Sequence, residues 1–288
     1  MPTDKRLRQR AARAQKQAVI DKGRKRRRYT RRGIGAVILA AMIVGIVLLV
    51  SGAGSKSAKG TTTTTPKGST TTTTFATPTT QPLTTKAVVP TCPPATGSTI
   101  RVVWFTKAPP MCIAANSVWD ATFKTNLGDI VVEMPTASSP AAVNNFVFLA
   151  RYQYFNGTFF HRVIPGFVVQ GGDPTGTGSG GPHGLPGYSF TGNTPPATCK
   201  TKPAQPSCYK PYDLALANSS GPSTDGSQFF FVLPGGQTTL NGEPNYTIFG
   251  SVVQGMSVVA KIGADGSSSG TPAVKVYLLS VTVTQISG

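Results

Sequence analysis

Histidine is nearly absent from this chain: His161 and His183 are the only two among 288 residues. Cysteine is scarce too, with four residues, Cys92, Cys112, Cys199 and Cys208, and no C-x-x-C spacing. These shortages argue against a zinc centre, which draws on closely spaced Cys and His ligands, and no other metal or cofactor is expected. A P-loop and a G-x-S-x-G nucleophile elbow are also missing, which removes a common phosphate cradle and the α/β-hydrolase nucleophile. "GTGSGG" at 176–181 satisfies G-x-G-x-x-G in letters, but Pro182 and Pro186 follow it. A dinucleotide fingerprint must open a helix, and no helical period appears here.

Acidic side chains number only ten, against 28 Lys and Arg. The excess is confined to one end. Residues 1–32 carry fourteen Lys/Arg against Asp4 and Asp21, a net +12, whereas residues 119–288 carry eight Lys/Arg against eight Asp/Glu. A neutral C-terminal part, and a basic run without aromatic interleaving, argue against a nucleic-acid partner.

Residues 34–50, "IGAVILAAMIVGIVLLV", contain no charge. Seventeen residues stand at the short end of a bilayer span. The basic run "RKRRRYTRR" (24–32) before it orients the N-terminus inside, helped by anionic headgroups. A cleaved signal peptide is the rival reading, with Ser51-Gly52-Ala53 at the cleavage position. The basic region is long for one, however, and the apolar run exceeds a typical h-region. The expectation is a basic cytoplasmic tail (1–33), a single transmembrane helix (34–50) in the cell membrane, and an extracytoplasmic remainder.

Fifteen of the twenty-five residues from 61 to 85 are threonine, with Pro66, Pro78 and Pro82 among them. Such a segment cannot bury enough apolar surface to offset its ordering entropy, so 51–90 reads as a disordered Thr/Pro-rich linker. All four cysteines fall beyond it, on the outer side, where disulfides persist. Four cysteines allow three connectivities, and sequence does not choose among them. In an oxidising space the expectation is local pairing, Cys92–Cys112 and Cys199–Cys208. The first would tie an N-terminal extension (91–118) back to a domain at 119–288.

Within that domain, "ATFKTNLGDIVVEM" (121–134) reads as a hairpin around Asn126-Leu127-Gly128-Asp129. In "SSPAAVNNFVFLARYQYF" (138–155), Ser139 can cap and Pro140 can take the first helical position. Val143, Phe146, Val147 and Ala150 then give one apolar helical face. Two strands turn at Pro165-Gly166 within 158–172, and a Pro-rich insert spans 191–212. "DLALAN", "QFFFVL" and "YTIFGSVV" resume the β pattern. "GMSVVAKI" (255–262) suggests a second helix and 273–286 a long last strand with a bulge near Leu278. The fold expected is mainly β: a closed eight-stranded antiparallel barrel capped by two helices.

One stretch poses a chemical question. In "FFHRVIPGFVVQGGD" (159–173), Arg162 sits in apolar company with no acid closer than Asp173. A permanent cation seldom occupies such surroundings without a task. His161 beside it reads as a side chain fixed by local hydrogen bonding rather than a general base, and Asp173 as a turn residue.

This stretch continues as "PTGTGSGG", and "ALANSSGPSTDGSQFFFVL" and "LNGEPNYTIFG" follow in order. Together they resemble the cyclophilins, the cyclosporin-binding peptidyl-prolyl cis–trans isomerases, from about Asp120 to Gln285. With the expected anchor, the resemblance is to a bacterial, membrane-anchored member. The resemblance implies an isomerase of X-Pro bonds in proline-containing polypeptides, assisting folding outside the membrane. It implies Arg162 as catalytic residue and Gln170 as the side chain orienting it. Phe167, Val168, Phe230 and Leu240 would surround the proline ring, with valine where methionine is usual. Tyr246 takes the place of a common pocket histidine, and Ala217 and Asn218 match the segment that pairs with substrate backbone. Simple pairing through Pro165-Gly166 would set Arg162 opposite Val169, so the Arg–Gln contact comes from the resemblance alone.

The chemistry suits the residues. An X-Pro bond has a rotation barrier of ~18–20 kcal/mol from amide resonance. No bond breaks, so neither nucleophile nor metal is required. A fixed guanidinium can polarise the prolyl nitrogen as the bond twists. Besides Tyr246, two further departures from the family pattern stand out. Thr239 precedes "LNG" where many members have tryptophan, which implies weak cyclosporin binding, and "ANSSGP" carries one residue more than the usual "ANAGP". A proline-peptide binding module with little catalysis, or a surface scaffold, are the alternatives.

Overall fold

The computed structural model describes residues 87–182 and 188–288. The basic tail, the apolar segment 34–50 and most of the 51–90 linker lie outside these residues, as does His183. Among the described residues, no helix is long and apolar enough to cross a membrane.

Eight strands build one antiparallel sheet: β1 (Val118–Thr125), β2 (Gly128–Pro135), β3 (Arg162–Ile164), β4 (Val168–Gly171), β5 (Asp213–Leu216), β6 (Phe229–Val232), β7 (Ile248–Gln254) and β8 (Leu278–Ser287). Their order is β3-β4-β6-β5-β7-β2-β1-β8. The sheet curls into a half-barrel, not the closed barrel that the sequence suggested. Its edge strands β3 and β8 share no ladder, and the isolated Phe159↔Tyr277 bridge links their ends. A three-residue β3 is too short to zip along the ten-residue β8. The register of β8 on β1 shifts between Leu278 and Ser280, where the bulge was expected.

Among the described residues three α-helices accompany the sheet, one more than the two caps that the sequence suggested. α1 (Pro140–Arg151) packs on β7 and β8, and α3 (Met256–Ala264) on β2, β3 and β4. The additional α2 (Gly236–Gly242) reads "GQTTLNG", too poor in helix formers to announce itself. Pro140 does open α1, but the Ser139 hydroxyl makes no cap and is buried without a partner.

α1 is not half-exposed as its amphipathic pattern suggests: residues 142–150 are all buried. The segment before β1 covers its other side. Val102, Val103, Phe105 and Ile113 belong to the main core, and the Phe105 ring lies 5.0 Å from that of Phe148. Asn144, a polar residue inside the helix, closes the joint. Its Oδ1 accepts from the Cys112 N–H (2.7 Å) and its Nδ2 donates to the Pro110 carbonyl (2.9 Å). Cys92–Cys112 and Cys199–Cys208 are both bonded, with Cα atoms 5.3 and 5.6 Å apart. Pairing is therefore local in both cases.

Replacing Asn144 by Ala removes its hydrogen bonds to two part-buried backbone groups, at roughly 1 kcal/mol each. Denaturant unfolding should show Asn144→Ala destabilised by ~2 kcal/mol. A loss under ~0.5 kcal/mol would mean that water replaces both bonds and the joint is not sealed.

Candidate active site

The β3–β4 hairpin positions the arginine. Ile164 C=O accepts from Phe167 N–H at 3.0 Å across Pro165-Gly166, and Gly166 takes φ +69°. This suits the second central residue of a type II turn. Phe167 stays out of the ladder, so Ile164 pairs with Val168 and Arg162 with Gln170. The pairing expected from a two-residue loop, Arg162 opposite Val169, is therefore wrong by one residue. A one-residue slip exchanges the faces of a strand, and here it sets Arg162 and Gln170 side by side.

Arg162 Nη1 donates to Gln170 Oε1 at 3.1 Å. Gln170 Nε2 donates to Gln228 Oε1 at 2.9 Å. Gln228 Nε2 donates in turn to the carbonyls of Gly178 (3.0 Å) and Gly180 (2.8 Å). Those carbonyls can only accept, so Gln228 must show them its NH₂ and turn its oxygen to Gln170. Gln170 then turns its own oxygen to the guanidinium. Two backbone carbonyls thus set the direction of the whole chain.

The glycine loop holding those carbonyls wraps around buried Asp173, whose carboxylate accepts from the N–H groups of Thr175, Gly178 and Gly180. Burial pushes its pKa up, but these bonds and the Thr175 hydroxyl outweigh it and leave the carboxyl below its ordinary value. A Cβ at Gly180 would collide with this carboxylate. "GTGSGG" therefore serves a turn around an acid. His161 lacks the local hydrogen bonds expected of it. Both ring nitrogens are buried and unpartnered, and the amide hydrogens of neighbouring Gln228 are already committed to the loop. Burial foremost, with Arg162 adding and Asp173 opposing, lowers the imidazole pKa.

A small cavity of about 110 Å³ opens beside the arginine. Arg162, Phe167, Val168, Gln170, Ala217, Asn218, Phe230, Leu240 and Tyr246 line it, which brings every sequence-derived groove residue together. Strand alternation explains the gathering. Phe229 and Phe231 of β6 join the main core, whereas Phe230 and Val232 join a separate cluster on the other face with Val168, Ala215 and Leu240. Phe230 meets the Tyr246 ring edge-on at 5.3 Å, and the guanidinium lies 5.7 Å from the Phe167 ring centre. The added residue at 218–221 is accommodated in a turn: Asn218 Oδ1 accepts from Gly221 N–H, and Thr224 Oγ1 from the N–H groups of Ser219 and Ser220. Sequence reasoning missed Gln228, Tyr209 and Asn241. "SQFFF" hid the first among strand residues, and the other two depend on a helix with no readable period.

Asp225 lies behind Asn218, fully buried, with one oxygen accepting from Thr247 Oγ1 (2.7 Å) and the other unpartnered. Burial raises its pKa to about 6, against a weaker opposing hydrogen bond from Thr247. Between about pH 4, the ordinary carboxylate value, and about 6, the folded state then holds more protons than the unfolded one. Stability from this group is complete below that window and falls as pH rises through it. Asp225→Asn should remove the slope and raise stability at pH 7 by roughly 2–3 kcal/mol. Melting curves at pH 4.5 and 7 measure it, and an unchanged difference between the two pH values in the variant would contradict this origin.

The sequence profile of the family "Cyclophilin type peptidyl-prolyl cis-trans isomerase/CLD" matches residues 121–283. The Gibberella zeae protein "Peptidyl-prolyl cis-trans isomerase-like 1" is 40% identical over 140 residues, covering 49% of this chain and 78% of its own. The Homo sapiens protein of the same name is 43% identical over 140 residues, covering 49% of this chain and 76% of its own. A solved Cryptosporidium parvum cyclophilin type peptidyl-prolyl cis-trans isomerase aligns at 30% identity and TM-score 0.46, over 58% of this chain and 98% of that one. The chain thus belongs to the cyclophilin-type peptidyl-prolyl cis–trans isomerases, and isomerase activity comes with that membership.

Proposed function

We propose that the protein is a membrane-anchored, bacterial cyclophilin that rotates X-Pro bonds of polypeptides outside the cytoplasmic membrane and assists their folding. Within the site, Arg162 is the catalytic residue and Gln170 orients it. The observation that carries the reading is a guanidinium bonded to an amide, not an acid, lining a small cavity together with apolar side chains. A proline ring enters between Phe167, Val168, Phe230, Leu240 and Tyr246. Ala217 and Asn218 offer backbone groups to the substrate. As the bond twists, resonance is lost and the prolyl nitrogen regains its lone pair, to which Arg162 donates a hydrogen bond. Each ~1.4 kcal/mol gained there is about tenfold in rate.

Two features support the location. The uncharged run at 34–50 follows a dense basic segment, and all four cysteines are paired, as suits an oxidising space. Weak cyclosporin binding is part of the same reading: Thr239 is exposed on α2 and offers no indole surface.

A protease-coupled prolyl-peptide assay tests the mechanism. Arg162→Ala should lose more than tenfold in turnover while staying folded, and Arg162→Lys should recover little, lacking the planar fork. Retention of over a tenth of the activity by Arg162→Ala would refute the role of the cation. In the same assay Gln228→Leu, which leaves Gln170 free to flip, should lose between threefold and thirtyfold. Activity within a factor of two would show that Gln170 is oriented without Gln228.

A further inference from the structure

The Pro-rich insert between β4 and β5 ends in "CYKPY", and its Tyr209 is buried to 1% exposure. This side chain belongs to the groove-side apolar cluster, yet it does not line the cavity beside Arg162. It stands behind two of that cavity's walls. Tyr209 N–H donates to Asn241 Oδ1 (2.9 Å), and Asn241 Nδ2 donates back to the Tyr209 carbonyl (3.1 Å). Its hydroxyl accepts from the Tyr246 N–H (2.8 Å) and donates to the Tyr246 carbonyl. Asn241 adjoins Leu240 on α2, and both Leu240 and Tyr246 line the cavity. One residue therefore ties both walls to a third segment of chain.

Those walls need such a tie. α2 has seven residues and no side-chain cap at its N-terminus, and helices this short are marginal without tertiary support. Tyr246 sits in the irregular segment between α2 and β7, where the other side-chain ties are Asn218 Nδ2 to the Asn245 carbonyl and Thr247 Oγ1 to Asp225. Tyr209 itself is fixed by its neighbour. Cys208 is bonded to Cys199, both are buried, and the short 3₁₀ turn carrying Cys199 packs on α2.

We propose that Tyr209 is the positioning residue of the proline pocket, and that the Cys199–Cys208 cross-link clamps it there. The inference rests on the function proposed above. It deepens that reading by assigning the insert to substrate affinity. The Arg162–Gln170–Gln228 chain is anchored in β3, β4, the residue preceding β6 and the glycine loop, none of which hydrogen-bonds to Tyr209. Loss of the tyrosine hydroxyl should therefore loosen Tyr246, and loss of the Asn241 amide should loosen Leu240; either weakens proline binding and leaves the polarising cation in place. Burial keeps the phenol protonated by pushing its pKa up, against opposition from the Tyr246 carbonyl bond, so that the hydroxyl both donates and accepts.

The test measures, in the full chain, the Kd of an Ala-Pro tetrapeptide by NMR titration and its cis–trans exchange rate at saturation. Tyr209→Phe should weaken Kd about fivefold or more, with the saturated rate within twofold of wild type. The Cys199→Ser/Cys208→Ser double variant should show the same split. Combining it with Tyr209→Phe should add less than the product of the two effects, since both act through one unit. A purely structural role would lower the folded fraction and leave the Kd of the folded molecules unchanged, and that result overturns the proposal. So does a loss confined to the saturated rate. If Tyr209→Phe does not fold, Asn241→Ala severs only the α2 tie and must itself weaken Kd by threefold or more. Should the wild type bind the peptide without accelerating exchange, the isomerase reading fails, while the Kd comparison still decides the role of Tyr209.

Discussion

A cation held in place by an amide, without an acid to neutralise it, is the constraint from which the site follows. A carboxylate at about 4 Å would bind the guanidinium with roughly 4 kcal/mol near a protein surface, and much of its field would be spent there. Gln170 fixes the position of Arg162 through a 3.1 Å hydrogen bond and leaves the charge available. An amide can point either way, however, so its direction has to come from elsewhere. It comes from Gly178 and Gly180, whose carbonyls determine Gln228 and through it Gln170. The neighbouring ionisable groups are kept quiet for the same purpose. His161 is held toward its neutral form by burial, and the Asp173 carboxylate is saturated by donors of its own loop.

The apolar half of the site depends on a sheet buried on both faces. All four residues of β6 and of β5 are buried. A strand of that kind shows a continuous apolar run rather than alternation. "FFFV" accordingly serves two purposes: alternate residues build the main core and the groove floor. Floor and core therefore hang on the same backbone ladder.

Much of this was legible in the residues. "PG" at 165–166 specified a type II turn, Pro140 the start of α1, and the ordered motifs from "FFHRVIPGF" to "YTIFG" the set of side chains that meet in the groove. Failures occurred where one residue or one distant segment decides. Phe167 leaving the ladder reversed the predicted partner of Arg162, which no alternation rule foresees, since the residue is as apolar as its neighbours. Closure of the barrel depends on whether two edge strands reach each other, a question of strand length that hydropathy does not settle. The polar residues of α1 suggested a solvated side, but Asn144 and Asn145 are polar because they bond to carbonyls of other segments.

That last point bears on where the folded unit begins. The family profile starts at residue 121, yet α1 is buried all round only because residues 102–113 cover it. Without them Phe148 would lose its contact with Phe105, and Asn144 both of its bonds. A Cys92–Cys112 link closing a loop of this length restricts the unfolded chain by about 3 kcal/mol, comparable to the polar joint it accompanies. The segment also reaches the end of the glycine loop that directs Gln228, since Phe105 N–H donates to the carbonyl of Pro182, just past that loop. Residues 87–118 are therefore part of the domain's core and of the scaffold behind its site. A chain cut at residue 119 would carry every motif of the family and lack one wall of its own interior.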